Sequence, residues 1–386
     1  MINYGRQFID RGDLASVKKT LKSNWLTTGP EVGKFEKLIG KKVGVKYVSA
    51  VNSATSALHI SCLALGLSKN DILWTSSNTF VSSANCGLYC GAKIDLVDIN
   101  KETYNINVES LIKKLIIAKN KNKLPKILIV VHFAGQPCEM NEIFKLSKKY
   151  NFKIIEDASH ALGSRYQGTN IGDCKFSDIT VFSFHPVKII TTGEGGAATT
   201  KSKQLNDKLK SFRSHGIFGD QNKNKKELKK RPWMFYQEEL GYNYRLTDIQ
   251  ASLGISQLKK IDFFLKKRNE IANIYNKNFK NLPIVLPRQL PGTFSTYHLY
   301  VVLILRNKKN IDRDAFYKKL LNFGIKTNIH YIPVYRHPFY KKFKFNEKLF
   351  KNNESYFEKA ISLPIYPSMS KKDIRKVIFN VKKILT

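Results

Sequence analysis

Short apolar runs alternate with helix-like segments between residues 45 and 200, and this alternation constrains the fold more than any other feature of the chain. Seven runs are typical of strands; they cover residues 47–51, 72–75, 94–97, 127–132, 153–156, 179–184 and 197–200. Amphipathic segments separate most of them, among them residues 54–65, 108–117 and 141–149. Strands and helices in this order form a largely parallel sheet with helices on both faces, so we predict an α/β fold.

The rest of the chain predicts two further parts. Near the N-terminus, one helix at residues 13–21 precedes a polar segment at 23–30 that contains Gly and Pro. The sequence Thr-Asp-Ile-Gln at Thr247 has the spacing of a capping box and predicts a long helix that continues toward Tyr275. Later segments predict strands at 300–305 and 325–330 and helices at 313–322 and 371–385. We therefore predict an N-terminal segment (1–30) that contributes to a substrate site, a large domain (31–246), and a linking helix with a small C-terminal domain (247–386).

The net charge of +36 has three explanations, which are compositional drift, attraction of a polyanionic small substrate, and nucleic-acid binding. Lysines occur on nearly every predicted helix, with denser runs at residues 113–126, 223–231 and 341–351. Nucleic-acid binding normally accompanies a clustered basic face and a recognisable module. The sequence contains no such motif, so we expect no nucleic-acid partner.

Cysteine usage and hydropathy favour a cytoplasmic protein without a metal site. The five cysteines form no Cys-x-x-Cys pair, and most lie in apolar surroundings, where a thiol behaves as a small hydrophobic group. The N-terminus lacks the apolar core of a signal peptide, and the longest uncharged stretch, residues 47–68, is interrupted by polar residues. We therefore expect no metal ligands and no membrane partner.

Lys188 and Asp157 are the two residues that most directly indicate chemistry. Lys188 lies between the apolar run 179–184 and a glycine-rich turn, where partial desolvation favours the neutral amine that condenses with a carbonyl group. Asp157 follows the apolar run 153–156. A lysine for its aldehyde and a carboxylate for its ring nitrogen are what pyridoxal phosphate requires. The alternative for Asp157 is a cap on a helix that begins at Ala158.

Other residues fit the same cofactor less specifically. Residues 52–59 follow a strand and open a helix, which suits a phosphate site but also an ordinary Ser/Thr helix cap. Ser183 adds a hydroxyl near Lys188. His160 would contact the ring hydroxyl or fill a polar niche, and Phe80 would stack on the cofactor or belong to the core.

The sequence Gly-x-Gly-x-x-Ala at residues 193–198 matches a dinucleotide-binding pattern only in part. In that pattern the glycines lead into a helix, and an acidic residue follows at a fixed distance. Here the glycines lead into the strand-like run 197–200, and no suitable acid follows. A tight turn between two strands is the better interpretation.

Five motifs together resemble the DegT/StrS family of sugar aminotransferases; they cover residues 52–59, 156–163, 183–196, 213–216 and 241–246. The resemblance extends from Tyr4 to the last predicted helix. It implies a transferase of fold type I that depends on pyridoxal 5′-phosphate. Such a protein has a large domain with a mainly parallel seven-stranded sheet and a smaller α+β C-terminal domain.

The resemblance also implies residue roles. Lys188 would bond to the cofactor aldehyde, Asp157 would pair with the ring nitrogen, and His160 would neighbour the phenolic oxygen as the third catalytic residue. Thr55, Ser56 and Ser183 would hold the phosphate, and Asn243 would reach the phosphate bound by the partner subunit of a homodimer. Phe80 stands where some relatives carry Trp. Substrate contacts would fall on Tyr4, Asn24, Trp25, Leu26, Thr27, Ser53, Ser183, Asn243, His330, Tyr331, Ile332 and Pro333.

Residues 24–29, 78–92 and 330–333 resemble in particular the branch of the family that serves pseudaminic acid biosynthesis. This implies transfer of an amino group from L-glutamate, which leaves as 2-oxoglutarate, to C4 of a UDP-4-keto-6-deoxy-N-acetylhexosamine (UDP-2-acetamido-2,6-dideoxy-β-L-arabino-hex-4-ulose). Lys188 argues against a dehydratase activity, because the dehydratases of the family carry histidine at this position. Two alternatives stay open: another nucleotide sugar with a different keto group, or a non-catalytic basic binding protein.

Overall fold

The computed structural model describes residues 1–217, 231, 233–306 and 309–386, so most of the basic run at 223–231 lies outside the described residues. The strands are β1 (Tyr47–Val51), β2 (Ile72–Ser76), β3 (Lys93–Val97), β4 (Ile127–Val131), β5 (Lys153–Asp157), β6 (Arg165–Tyr166), β7 (Thr169–Asn170), β8 (Ile179–Ser183), β9 (Gly196–Thr200), β10 (Ile284–Val285), β11 (Thr293–Phe294), β12 (Tyr300–Ile304) and β13 (Ala360–Leu363).

The α-helices are α1 (Arg11–Leu21), α2 (Pro30–Val43), α3 (Ala54–Ala64), α4 (Ser82–Tyr89), α5 (Val108–Asn120), α6 (Met140–Tyr150), α7 (Lys203–Phe212), α8 (Asp248–Leu258), α9 (Ile261–Phe279), α10 (Arg313–Asn322), α11 (Lys351–Lys359) and α12 (Lys371–Leu385). Short 3-10 helices occupy Phe133–Gly135, Val334–Arg336, Pro338–Phe343 and Glu347–Leu349. Within the described residues, no helix combines the length and the apolar composition that crossing a membrane requires.

The predicted seven-stranded, mainly parallel sheet is confirmed. Its strand order is β1-β9-β8-β5-β4-β2-β3, and the five strands from β8 to β3 are parallel neighbours. β9 is antiparallel to both of its neighbours, β1 and β8. The glycine-rich segment before β9 is therefore part of the connection between two antiparallel strands, as the sequence predicts, and does not open a helix.

Helices cover both faces of the sheet, because its central strands alternate buried side chains between two separate cores. Leu128 and Val130 of β4 belong to one core, and Ile127, Ile129 and Val131 belong to the other. All five residues of β4 are buried, which is the pattern of a parallel strand with helices on each side. A third core packs α9 and α12 against the small sheet of β10, β12 and β13.

The predicted long helix after Thr247 is correct at its start and wrong beyond it. Thr247 and Gln250 form the expected capping box, but α8 ends at Leu258 and a second helix, α9, begins at Ile261. Lys260 leaves helical geometry (φ −101°, ψ 1°), and its Nζ lies 2.9 Å from Asp10 and 2.6 Å from Asp13. These partners from α1 and its cap hold Lys260 at the break between the two helices.

One predicted strand of the C-terminal part is wrong. Residues 325–330 form no named strand and make only two isolated bridges, Ile2 with Ile325 and Asn328 with Ser362. The outer edge of β13 is open to a further strand, but only Asn328 of the segment pairs there, with Ser362, so no fourth strand forms. The predicted domain boundaries at residues 30 and 246 stay a prediction.

Candidate active site

A cavity of about 560 Å³ opens where β5 and β8 end at their carboxyl ends, as expected for an open α/β sheet. The fold brings ten of the predicted site residues to its wall: Tyr4, Ser53, Thr55, Phe80, Asp157, His160, Ser183, Lys188, His330 and Tyr331. Most lie far apart in the sequence. Adjacent parallel strands place Asp157, the last residue of β5, beside the strand that leads to Lys188.

Lys188 occupies the loop after β8, and its side chain lines the cavity. Burial lowers the pKa of the Lys188 ammonium to about 8, while the negative charge of Asp157 acts in the opposite direction. Within the described part of the chain, the Lys188 amine has no recorded hydrogen bond. An amine in this setting is available as a neutral nucleophile near neutral pH.

Asp157 is held rigidly, and the alternative role as a helix cap is wrong because no helix follows it. Its Oδ2 accepts a hydrogen bond from the Ser83 hydroxyl at 2.7 Å. Its Oδ1 accepts from the backbone N–H of Ser159 at 3.1 Å and from the Ser159 hydroxyl at 2.5 Å. The carboxylate is 4% exposed and lines the cavity, so its orientation toward a ligand is fixed in advance.

His160 is neutral, and its tautomer follows from its partners. The backbone N–H of Ala134 donates to Nδ1 at 3.2 Å, so the ring proton resides on Nε2, which lies 3.1 Å from the Tyr331 hydroxyl. Burial and the nearby charge of Lys188 hold the His160 pKa well below its usual range. His160 therefore presents an N–H donor toward the cavity.

Helix α3 begins at the cavity wall and supplies the expected anion site. Ser53 caps the helix by accepting from the Ser56 backbone N–H at 3.0 Å, and the Thr55 side chain lines the cavity. Ser56 was predicted to hold the phosphate, but it does not line the cavity. Its hydroxyl donates instead to Asn52 Oδ1 at 2.6 Å. A Cβ at Gly196 would lie 2.6 Å from the Ala54 nitrogen, so glycine allows β9 to approach this helix start.

Aromatic residues form the outer wall. Phe80 lines the cavity with 56% of its surface exposed, and its ring centre lies 6.0 Å from that of Tyr331. The His330 ring lies 5.5 Å from that of Tyr4, and its Nδ1 is 2.8 Å from the Ser362 hydroxyl. Burial and the charge of Lys188 lower the His330 pKa to about 3, so this ring is also neutral.

Besides Ser56, seven predicted residues do not line this cavity: Asn24, Trp25, Leu26, Thr27, Asn243, Ile332 and Pro333. Asn243 is exposed, and its carbonyl oxygen lies 3.5 Å from Asn52 Nδ2, beside the start of α3. Residues 24–27 are exposed, and Thr27 forms a bridge with Thr247. That segment adjoins Gln250, which donates to the carbonyl of the cavity residue Glu194 at 2.9 Å.

The sequence analysis missed His298, which also lines the cavity. Its ring centre lies 4.3 Å from that of His160, and its buried Nδ1 has no hydrogen-bond partner in the described part of the chain. Arg268, itself buried, donates to the His298 carbonyl at 3.2 Å. A histidine that directly precedes an apolar strand was the available signal, but it is too common to identify a site.

The donor set fits pyridoxal phosphate. An amine without a partner, an oriented carboxylate, a helix N-terminus with a hydroxyl and an exposed aromatic ring all face one cavity; they belong to Lys188, Asp157, Thr55 and Phe80. These groups match the aldehyde, ring nitrogen, phosphate and ring face of the cofactor. Among the described residues, no group of three or more His, Cys, Asp or Glu side chains is arranged to hold a metal ion.

Comparison with known proteins places the chain in a family. The DegT/DnrJ/EryC1/StrS aminotransferase family matches residues 7–382. The chain belongs to this family. The predicted resemblance, enzyme class and cofactor are thereby confirmed, and the alternative of a non-catalytic binding protein is excluded.

Three known proteins show how similar this chain is to other members of the family. The UDP-4-amino-4,6-dideoxy-N-acetyl-beta-L-altrosamine transaminase of Campylobacter jejuni serotype O:2 is 41% identical over 378 residues, which cover 98% of this chain and 96% of that protein. The Helicobacter pylori PseC structure, an aminotransferase involved in the biosynthesis of pseudoaminic acid, has a TM-score of 0.89 and 32% identity, with 100% and 99% of the two chains covered. The PLP form of the sugar aminotransferase Spr1654 from Streptococcus pneumoniae has a TM-score of 0.87 and 26% identity, with both chains fully covered.

Proposed function

We propose that this aminotransferase moves the amino group of L-glutamate to C4 of UDP-2-acetamido-2,6-dideoxy-β-L-arabino-hex-4-ulose, a step in pseudaminic acid biosynthesis. The proposal depends on one observation, which is that Lys188 and Asp157 line the same cavity. Similarity over nearly the whole chain to the Campylobacter transaminase and to PseC supports the choice of sugar.

Lys188 acts as the acid–base group of both half-reactions. Pyridoxal phosphate, when bound, supplies the electron sink that makes the α-proton of the amino donor acidic. The lysine amine takes that proton from the α-carbon of glutamate and delivers it to C4′ of the cofactor. In the second half-reaction the same amine moves a proton in the opposite direction, from C4′ to C4 of the sugar. Burial suits this role, because a lysine with a pKa of about 8 both accepts and returns a proton near neutral pH.

Asp157 and His160 orient and tune the cofactor ring. Three hydrogen bonds from Ser83 and Ser159 fix the Asp157 carboxylate, which would pair with the ring nitrogen. The neutral His160 would donate its Nε2 proton to the phenolic oxygen, in place of the Tyr331 hydroxyl that it faces here. Thr55 and the start of α3 hold the phosphate, and Ser183 adds a hydroxyl.

The complete site requires a second copy of the chain in this proposal. Asn243, Trp25 and Leu26 are exposed in the single chain, although each is a predicted cofactor or substrate contact. A homodimer with shared sites gives these residues a function, with Asn243 at the phosphate of the partner subunit. The five cysteines are all free thiols, which supports a cytoplasmic location.

Turnover of purified protein with L-glutamate and a panel of keto sugars tests the proposal. We expect amination of the UDP-linked 4-keto sugar above, no product with its dTDP-linked analogue, and loss of turnover in Lys188→Ala. A preference for a 3-keto or dTDP-linked sugar would instead support another aminotransferase of the same family. Turnover in Lys188→Ala would refute the mechanism for any sugar.

A further inference from the structure

A second groove lies at the β3 edge of the large sheet, on a part of the surface that the aminotransferase site does not use. It has a volume of about 470 Å³ and lies between α5 and residues 349–350. Its apolar wall contains Trp74, Ile117, Leu349 and Phe350. Ile117 and Leu349 are 56% and 62% exposed, so this wall is open to a ligand.

The fold brings the lysines of one dense basic run to this groove, together with apolar residues from a second run. Lys113, Lys114, Lys121 and Lys123 from the first run line it, and Leu349 belongs to the second run. Lys114 is neutralised by Asp95 at 2.7 Å. Lys113, Lys121 and Lys123 are exposed and form no ion pair with the described residues. Three cations without an ion-pair partner among the described residues therefore border an apolar pocket.

The acidic groups of the groove are already committed. Asp95 binds Lys114, and Asp98 accepts hydrogen bonds from the backbone N–H groups of Asn352 and Asn353 at 3.0 Å each. Asp98 keeps its negative charge, because neutral N–H groups do not cancel it, but two carboxylates offset only part of the charge of the four lysines that line the groove. The local charge is therefore positive even where acidic residues line the groove.

Trp74 provides the second, independent observation. It is 1% exposed and lines the groove, and its indole N–H has no acceptor among the described residues. A buried indole N–H normally has a hydrogen-bond partner, and leaving one without a partner costs free energy. A ligand with an acceptor atom would satisfy this group.

We propose that this groove binds an amphiphilic anion, which has an apolar or aromatic body and one carboxylate, sulfonate or phosphate group. The body packs against Ile117, Leu349 and Phe350. The anionic group lies among Lys113, Lys121 and Lys123, and an acceptor atom reaches the indole of Trp74. The site is independent of the aminotransferase cavity and of the sugar that the enzyme uses.

The probe for the test is 8-anilinonaphthalene-1-sulfonate, which has an aromatic body, one sulfonate and fluorescence that reports apolar binding. Because Trp74 lines the groove, tryptophan excitation transfers energy to the bound dye. We expect this transfer to persist in Trp25→Phe/Trp233→Phe, which keeps Trp74 as the single tryptophan. In Trp74→Phe, which keeps the other two tryptophans, we expect dye binding itself to weaken, measured by direct excitation of the dye. Loss of transfer in the single-tryptophan protein would place the dye elsewhere and overturn the proposal.

Charge reversal separates this site from general attraction to a basic protein. Lys113→Glu/Lys123→Glu should weaken dye binding roughly tenfold, and Lys371→Glu/Lys372→Glu, at the exposed start of α12, should leave it unchanged. Both variants should keep aminotransferase activity and the same thermal unfolding midpoint. Equal weakening in both would show that only net charge matters and would refute the site.

Displacement identifies the source of the anion. Laurate offers an acyl body with a carboxylate, and uridine monophosphate offers an aromatic body with a phosphate. Displacement of the dye by either compound at micromolar concentration supports the proposal and shows which body the groove accepts. If neither compound displaced the dye, the dye would be an adventitious additive only, and the proposal would fail.

Discussion

The Ser83 hydroxyl lies 2.7 Å from Oδ2 of Asp157, and the Ser83 oxygen is also 2.9 Å from the Thr79 hydroxyl. This chain of hydroxyl groups connects α4 and the segment before it to the end of β5. The Asp157 carboxylate is therefore oriented in part by Ser83, which does not line the cavity.

Ser83→Ala should weaken cofactor binding without unfolding the protein. A hydrogen bond to a charged group contributes about 1.5–3 kcal/mol, so we expect the Kd for pyridoxal phosphate to rise roughly tenfold or more. The measurement is a titration of the apoprotein with pyridoxal phosphate. Ser177→Ala is the matched control, because Ser177 bonds in the same way to the neighbouring carboxylate, Glu156, which does not line the cavity. An equal change in both variants would contradict this role of Ser83.

The rate at which the apoprotein combines with pyridoxal phosphate should rise with pH through about 8 and then level off. Only the neutral amine of Lys188 attacks the aldehyde, and burial lowers its pKa to that value. Asp157 opposes this shift, so Asp157→Asn should move the midpoint to lower pH. Stopped-flow absorbance at a series of pH values measures the midpoint in the wild-type protein and in Asp157→Asn. A midpoint at the pKa of an ordinary lysine, roughly 10.4, would show that Lys188 is not desolvated.

His298 should act through His160. The two rings lie in tilted contact, and an aromatic contact of this kind contributes about 0.5–1.5 kcal/mol, so His298→Ala should lower turnover roughly two- to tenfold. His298→Phe keeps an aromatic ring against His160 and should retain most of the wild-type turnover. Steady-state kinetics with the cofactor absorption spectrum distinguish the two variants. Equal loss in both would show that the unpartnered Nδ1 of His298 is itself required.

Hybrid dimers test whether Asn243 serves the partner subunit. Asn243→Ala and Lys188→Ala should each impair their homodimers, in the second case completely. A mixed dimer contains one site with both an intact Lys188 and an intact Asn243 from the partner. Random re-association should therefore recover about a quarter of wild-type turnover, since half of the dimers are mixed and each has one working site. No recovery would place Asn243 in the site of its own chain.

Much of the fold follows from the sequence because the large sheet is buried on both faces. Its strands are short, largely buried segments between helical ones, and the predicted bounds of each agree with the structure within one residue at both ends. Asp157 and Lys188 converge for the same reason, because β5 and β8 are parallel neighbours. Local sequence is enough to predict such a site.

The remainder depends on contacts between distant residues. The break between α8 and α9 depends on Lys260 reaching Asp10 and Asp13, which precede it by about 250 residues. Residues 325–330 have the pattern of a strand, but only Asn328 pairs with β13, and residues 328–330 line the cavity instead. His298 reaches the cavity because Arg268 fixes its backbone, and no motif records that contact.

Trapping the cofactor on the protein tests the central claim most directly. Holoenzyme is reduced with borohydride, digested with protease, and its peptides are sequenced by mass spectrometry. We expect a pyridoxyl group on Lys188 alone, absent after prior incubation with L-glutamate and absent in Lys188→Ala. A pyridoxyl group on any other lysine, or none on a protein that still aminates its sugar, would contradict the assignment of Lys188 as the catalytic amine.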